Sequence, residues 1–362
     1  MLLISLPIAV VVLRVFFPQE GDRREESKRL YMLFACALVI LFAGLRTRYT
    51  GSPDTKTYAL LFDGCREISL REFFSRREIT AGNFLMEEGG FFLFTWLLAQ
   101  VFRHAQWYIL CTTAFMTCCV AHFIKKYSSD YMLSWVLYLC LGSFTFAMNG
   151  LRQSMAMSVC LLAYDCAKQK KPLKFLLLVL LAFTFHRTAL VFLLVYPLAN
   201  YKPSWFKNGL FLGLGVLFWV FSRSIASMYD TFADKEYAVD ASVESGGYVT
   251  LMVYGLTLLV AFLYLYTKKN NKDALVTSLS ALVLVGALVY MARYSSAQIY
   301  ERVSYYFFYF IILLLPKVSE LFYGRDKLLL KTIMVVLAMT LFAYRINAGS
   351  FANFQFFVKE LV

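Results

Sequence analysis

The chain has 362 residues, 60% apolar and 16% charged, with a formal net charge of +13 and a mean hydropathy of +0.61. A soluble domain is nearer half apolar and a quarter charged, so soluble enzymes and soluble binding modules are excluded as classes. The positive balance fits either a nucleic-acid footprint or membrane topology, and the placement of the cations separates the two.

Apolar runs recur over 1–17, 30–45, 107–124, 131–146, 152–167, 173–185, 187–199, 208–226, 247–266, 274–292, 303–315 and 328–344. The first has no small-residue cleavage site after it and reads as a retained anchor. A full span needs about 20 residues, so several runs are short and some helices are expected to be broken. Strict alternation is absent, which excludes a barrel and leaves helices to satisfy their own backbone in lipid. The expected fold is all-α: a polytopic transmembrane bundle of about 12 crossings forming one domain over 1–362. The apolar stretch 88–102 is too short to cross and reads as a partial helix in the outer leaflet. With it, both termini lie outside.

Two connecting segments stand out, both expected on the extracytoplasmic side. Segment 46–88 is long and polar, and long ordered loops are usually functional. Segment 230–246 carries Asp230, Asp234, Glu236, Asp240 and Glu244 against a single Lys, which reads first as a solvated acidic loop.

Charge identity sharpens the topology. Segments assigned to the cytoplasm by the positive-inside rule hold 15 Lys and 4 Arg, and the opposite segments hold 12 Arg and 3 Lys. Sidedness alone does not demand that split. Arg presents a planar fork that clamps phosphate or carboxylate at two points, so an Arg-rich outer face suggests a fixed anionic ligand. Nucleic acid is not an expected partner.

Metal and nucleotide motifs are absent from the sequence. The eight Cys show no CxxC spacing, the three His no HExxH spacing, and there is no GxGxxG or P-loop. No cofactor is predicted, although a single Asp-bound divalent ion is compatible with a substrate that brings its own phosphate ligands.

Ionisable groups inside apolar runs cost about 2.5–3.5 kcal/mol each on insertion scales and mark sites. Arg152 opens one span, and His186–Arg187 interrupts two short runs. Asp54 and Tyr58 follow Arg46 directly after a span, Glu88 opens the partial helix, and Arg302 flanks a late span. Together they place acids, a histidine, arginines and a tyrosine on one side of the membrane.

These residues fall into patterns. Gly44-Leu-Arg46 with Gly51, Asp54 and Tyr58, then Glu88-Gly-Gly-Phe-Phe-Leu-Phe, Asn149-Gly-Leu-Arg152-Gln153-Ser-Met-Ala and Phe185-His186-Arg-Thr-Ala-Leu follow in order. In order and spacing they resemble the EpsG branch of the Wzy-type polysaccharide polymerases over most of the chain. The family's frequent His-Pro-Ser or His-x-Ser version stands here as His186-Arg187-Thr188, which adds a cation beside the histidine.

The resemblance implies a GT-C-like glycosyltransferase of the bacterial cytoplasmic membrane. It would join oligosaccharide repeat units carried on polyprenyl diphosphate at the outer face, making capsule, exopolysaccharide or O-antigen. Its expected partners are a flippase and chain-length or export proteins, besides membrane lipid. Glycosyl transfer from a diphosphate needs a base at the acceptor hydroxyl and cations at the leaving group. Glu88, Asp54 and His186 are the candidate catalytic groups, with Glu88 or Asp54 favoured for hydroxyl activation and His186 for base or phosphate contact. Arg152 and Arg302, then Arg46 and Arg187, are the candidate diphosphate contacts. Gln153, Asn149 and Tyr58 are candidates for sugar or phosphate hydrogen bonds. Two rivals stay open: a transporter or flippase of the same lipid-linked sugars, and a membrane acyltransferase with His186 as base.

Overall fold

Hydrocarbon offers no hydrogen bonds to a bare backbone, and the chain meets that constraint with helices. The structure, a computed structural model, describes residues 2–17, 24–50, 53–76, 88–233, 247–267, 273–294, 299–348, 351 and 354–357. Among them the only extended pairing is an isolated antiparallel bridge between Arg46 and Phe356.

The helices run α1 (Ser5–Phe16), α2 (Arg24–Gly44), α3 (Pro53–Arg66), α4 (Leu70–Arg76), α5 (Gly89–Val101) and α6 (Ala105–Tyr127). There follow α7 (Tyr131–Cys140), α8 (Ser143–Asn149), α9 (Leu151–Lys168) and α10 (Pro172–Phe185), then a 3-10 segment (Arg187–Leu194) that leads into α11 (Val195–Ala199). The last six are α12 (Trp205–Ala233), α13 (Tyr248–Thr267), α14 (Ala274–Met291), α15 (Ile299–Phe308), α16 (Ile311–Val318) and α17 (Gly324–Ala348).

The polytopic helical bundle is as expected. By length and apolarity, six described helices can cross a membrane, or eight if each bent pair counts as one span, against the twelve crossings expected. The other four apolar runs form α1, α9, α10 and the 187–199 segment, which are shorter or more polar. One bent pair is α7–α8, turned by 52°. Gly142 there has φ +115°, and the Arg345 guanidinium bonds the Leu141 carbonyl at the bend. The other pair, α15 with α16 and its 3-10 extension, turns by 45°.

Polar ties fix which ends lie together. The Asp165 carboxylate, near the end of α9, accepts from Tyr127 and Lys126 at 2.6 Å each, so α6 and α9 finish side by side. Asp130, the N-cap of α7, pairs with Lys331 at 2.5 Å and Arg14 at 3.4 Å. Burial opposes its ionised form, but Lys331 and Arg14 outweigh it and hold the carboxyl below its ordinary value. Lys168 and Asn200 cross-bond to the Ala199 and Ala167 carbonyls, so the 187–199 segment returns to the end from which α10 departed. Lys126, Lys168 and Lys331 therefore gather at one end of the bundle, while the start of α9 and the end of α10, with Arg152 and Arg187, lie at the other.

Helix α5 begins beside the end of α10. A Cβ on Gly90 would stand 2.0 Å from Thr184 Oγ1, so only glycine permits this approach. From there α5 runs parallel to α3: Tyr58 packs on Phe91 at its start, and Gln100 bonds the Cys65 carbonyl at its end. At 13 residues it is about 20 Å long, shorter than a span. Segment 46–88 thus carries two helices, α3 and α4, while 77–87, with Glu87, lies outside the described residues. So do Gly51 and Ser52, and residues 234–246 of the acidic segment.

Candidate active site

Gly90 lets α5 start against α10, and this puts Glu88 into the bundle as the N-cap of α5. Its backbone takes φ 55°, ψ 38°, a left-handed conformation that costs a residue with a side chain about 1–2 kcal/mol. The residue is only 5% exposed. A buried carboxylate needs charge partners, and two described side chains hold Glu88. Oε2 lies 2.6 Å from Arg152 Nη1, and Oε1 lies 2.5 Å from His186 Nδ1. The Arg187 backbone N–H also points to Oε1, at 3.4 Å. One acid thereby joins α5, the first turn of α9 and the break after α10.

That break falls directly at His186. Helix α10 closes at Phe185, and His186 is extended at φ −159°, ψ 128°. The chain re-forms as a 3-10 segment, with the Ala189 N–H bonded to the His186 carbonyl. The break directs the imidazole at Glu88 instead of into lipid. With Nδ1 held by the carboxylate, Nε2 is the ring nitrogen left for a reactant.

Tyr58, half-buried on α3, presents its hydroxyl to the Arg152 guanidinium as a second acceptor. Asp54 lies one turn earlier on α3 and is exposed. Its neighbour Thr55 bonds the Met148 carbonyl at 3.2 Å, which brings the start of α3 to half-buried Asn149. Gln153 is buried, and its Nε2 donates to the Arg302 carbonyl at 2.6 Å. It ties α15 to α9 and sets the backbone from which exposed Arg302 projects. One turn along α15, Tyr306 meets the Thr188 hydroxyl at 3.2 Å. Arg187 is half-buried and lines one end of a large apolar cleft of about 1040 Å³.

Arg46 is placed differently. It is wholly buried, and its donors serve the Ala43 carbonyl at 2.6 Å, Thr113 Oγ1 at 3.2 Å and the Met148 carbonyl at 3.2 Å. Two of these are in the last turns of α2 and α8, where the helix dipole favours a cation. Burial pushes its guanidinium down to about 10, still protonated at neutral pH.

Of the residues singled out in the sequence, the structure brings Glu88, His186, Arg152 and Tyr58 into direct contact, with the Arg187 backbone on the same carboxylate. Asp54, Asn149, Gln153 and Arg302 border this group. Thr113, Thr184, Thr188 and Tyr306 escape a sequence reading. Their only sequence signal is polarity within apolar runs, which structural hydroxyls share. Among the described residues no three His, Cys, Asp or Glu side chains cluster as metal ligands.

The sequence model of the EpsG family matches residues 29–358. No curated protein and no solved structure gives a significant match.

Proposed function

The chain belongs to the EpsG family, and on that premise we propose that it is a glycosyltransferase that polymerises polyprenyl-diphosphate-linked oligosaccharide repeat units. The membership points to a polymerase of polysaccharide biosynthesis, and the apolar helices make the chain a multi-pass membrane protein. The finer reading places the reaction at the outer face of the bacterial cytoplasmic membrane, on the Arg-bearing end of the bundle. A flippase and chain-length or export proteins are its partners there, and the product is a capsule, exopolysaccharide or O-antigen.

The observation that carries this reading is the Glu88 carboxylate held between His186 and Arg152. Binding or carrying an anionic lipid needs only cations. A carboxylate on one imidazole nitrogen does something further: it fixes the tautomer, turns the other nitrogen outward as a base, and stabilises the imidazolium that forms. Both Glu88 oxygens are already engaged, so in this proposal the acid orients and His186 Nε2 takes the proton.

Nε2 accepts the proton of a sugar hydroxyl on the incoming lipid-linked unit. That oxygen bonds to the anomeric carbon of the growing chain, and the bond from this carbon to the diphosphate breaks. The polyprenyl diphosphate leaves with the electron pair. Arg152, Arg302 and Arg187 meet the charge that develops on it, the kind of preorganised stabilisation that removes several kcal/mol of barrier in a water-poor site. Asp54, Asn149 and Tyr58 line the approach and are placed to bond sugar hydroxyls. Arg46 and Gln153 hold the scaffold.

Purified protein in nanodiscs, given lipid-linked repeat unit alone, is expected to produce a ladder of longer products on a gel. Unextended substrate from correctly folded protein would overturn the reading.

A further inference from the structure

Helix α12 stands away from the bundle. It is clasped about midway along its length, where Phe218 meets the Tyr300 ring edge-on at 5.5 Å and the Tyr300 hydroxyl bonds the Ser222 carbonyl. It is clasped again near its start, where the Tyr201 hydroxyl bonds Asn208 Oδ1 at 2.6 Å. Along this helix, from Lys207 past both clasps to Ala226, lies the cleft of about 1040 Å³, walled by Leu210 and Leu214 of α12, Leu190 and Leu194 of the 3-10 segment, and Leu288 and Val289 of α14.

We propose that this cleft seats the polyprenyl chain of the lipid-linked substrate, with the diphosphate at Arg187; the identity of the chain rests on the polymerase reading above. Three observations converge. The cleft is at or above the upper end of the range for small-molecule pockets, about 300–1,000 Å³, and its walls are almost entirely hydrocarbon, so it suits a chain and not a sugar. Its length, taken along residues 187–199, is about 24 Å from the rise of eight 3-10 and five α-helical residues, the depth of one leaflet and more. Its cations stand at both ends, Lys202 and Lys207 at one and Arg187 at the other, and only the Arg187 end adjoins the candidate site. Arg187 lines the cleft, and its backbone N–H points to the carboxylate that holds His186. A chain lying in the cleft with its diphosphate on Arg187 brings the first sugar linkage to His186. An ordinary phospholipid in the same position would put only a headgroup there, which serves no reaction.

The cleft also explains the unusual course of the 187–199 segment. A 3-10 stretch is narrow and rarely runs beyond three or four residues, yet here it runs for eight. It keeps a slim wall beside the cleft where an α-helix of normal diameter would fill part of it.

The test reads binding without turnover. The purified full chain, in nanodiscs of phosphatidylethanolamine and phosphatidylglycerol, is irradiated with a polyprenyl diphosphate carrying a mid-chain diazirine, and labelled residues are mapped by mass spectrometry. Label is expected on Leu194, Leu214 and Val289, competed by unmodified polyprenyl diphosphate and not by added phosphatidylglycerol. Leu214→Trp, which fills the gap, is expected to cut that labelling at least fivefold, whereas Leu256→Trp on the outward face of α13 leaves it unchanged. Label spread over outward helix faces, or competed equally by phosphatidylglycerol, would overturn the proposal even if polymer forms. Cleft labelling with no polymer would leave the seat standing and overturn the polymerase reading instead.

Discussion

Glu88 Oε1 lies 2.5 Å from His186 Nδ1, across 98 residues of sequence, and the other oxygen of that carboxylate holds Arg152 at 2.6 Å. The acid therefore links a candidate base to a candidate diphosphate cation, and its two neighbours respond differently to its loss.

Glu88→Gln keeps the size of the side chain and removes its charge. The imidazole loses its tautomer control and the stabilisation of its protonated form. Polymerisation is expected to fall about 10²-fold or more, within the range for positioned acid–base groups, while substrate binding changes little. Initial rates and binding of the lipid-linked unit, measured side by side, check this.

Arg152→Ala leaves Glu88 buried without its guanidinium. Breaking a buried pair from one side costs about 3–5 kcal/mol, so thermal unfolding is expected to fall sharply. Adding Glu88→Gln to Arg152→Ala removes the stranded charge and is expected to restore part of that loss. A double variant no more stable than Arg152→Ala would show that the pair is not the source.

Gly90→Ala tests how α5 is seated. The new Cβ meets Thr184 Oγ1 at 2.0 Å and its Cβ at 2.6 Å, and overpacking of this kind costs about 1–3 kcal/mol. The helix must move, and Glu88 moves with it. Activity is expected to drop more than stability does, and Thr184→Ala to rescue it only in part because the Thr184 Cβ remains.

Arg46→Lys separates scaffold from substrate contact. Lysine cannot reach the Ala43 and Met148 carbonyls and Thr113 together, and each buried acceptor left bare costs about 1–3 kcal/mol. A lower unfolding temperature is expected, with KM of the remaining folded protein unchanged. A raised KM at full stability would return Arg46 to the substrate.

Asp130 gives a pH dependence with a definite sign. Its folded carboxyl is held below the ordinary value by Lys331 and Arg14 against the opposing effect of burial. Its contribution is therefore present above the unfolded value of about 3.9 and is lost as pH falls below that toward the folded one. The difference in unfolding temperature between wild type and Asp130→Asn is expected to be large at pH 7 and to shrink on acidification below about pH 4.

The fold class was legible because lipid leaves few choices: apolar runs without alternation can only be helices. Crossing number was less so. Residues 173–185 and 187–199 read as two short runs, and only the bonds of Lys168 and Asn200 show that they form an out-and-back pair. The site was half legible. Glu88, Arg152 and His186 stood out as ionisable groups in apolar surroundings, but their mutual contacts depend on three helix ends meeting, which no local pattern encodes. Arg46 and Gln153 have the same residue chemistry as substrate contacts. What sets them apart is burial and bonds to backbone carbonyls, and neither is visible in a sequence. The cleft beside α12 was invisible for the same reason: its leucines look like any lipid-facing leucines.

The most direct test is polymerisation of lipid-linked repeat unit by purified wild type, Glu88→Gln and His186→Ala, each shown to be folded and to bind substrate. A product ladder is expected from wild type and only traces from the two variants. Full ladders from both variants, or none from wild type, would contradict the proposed function.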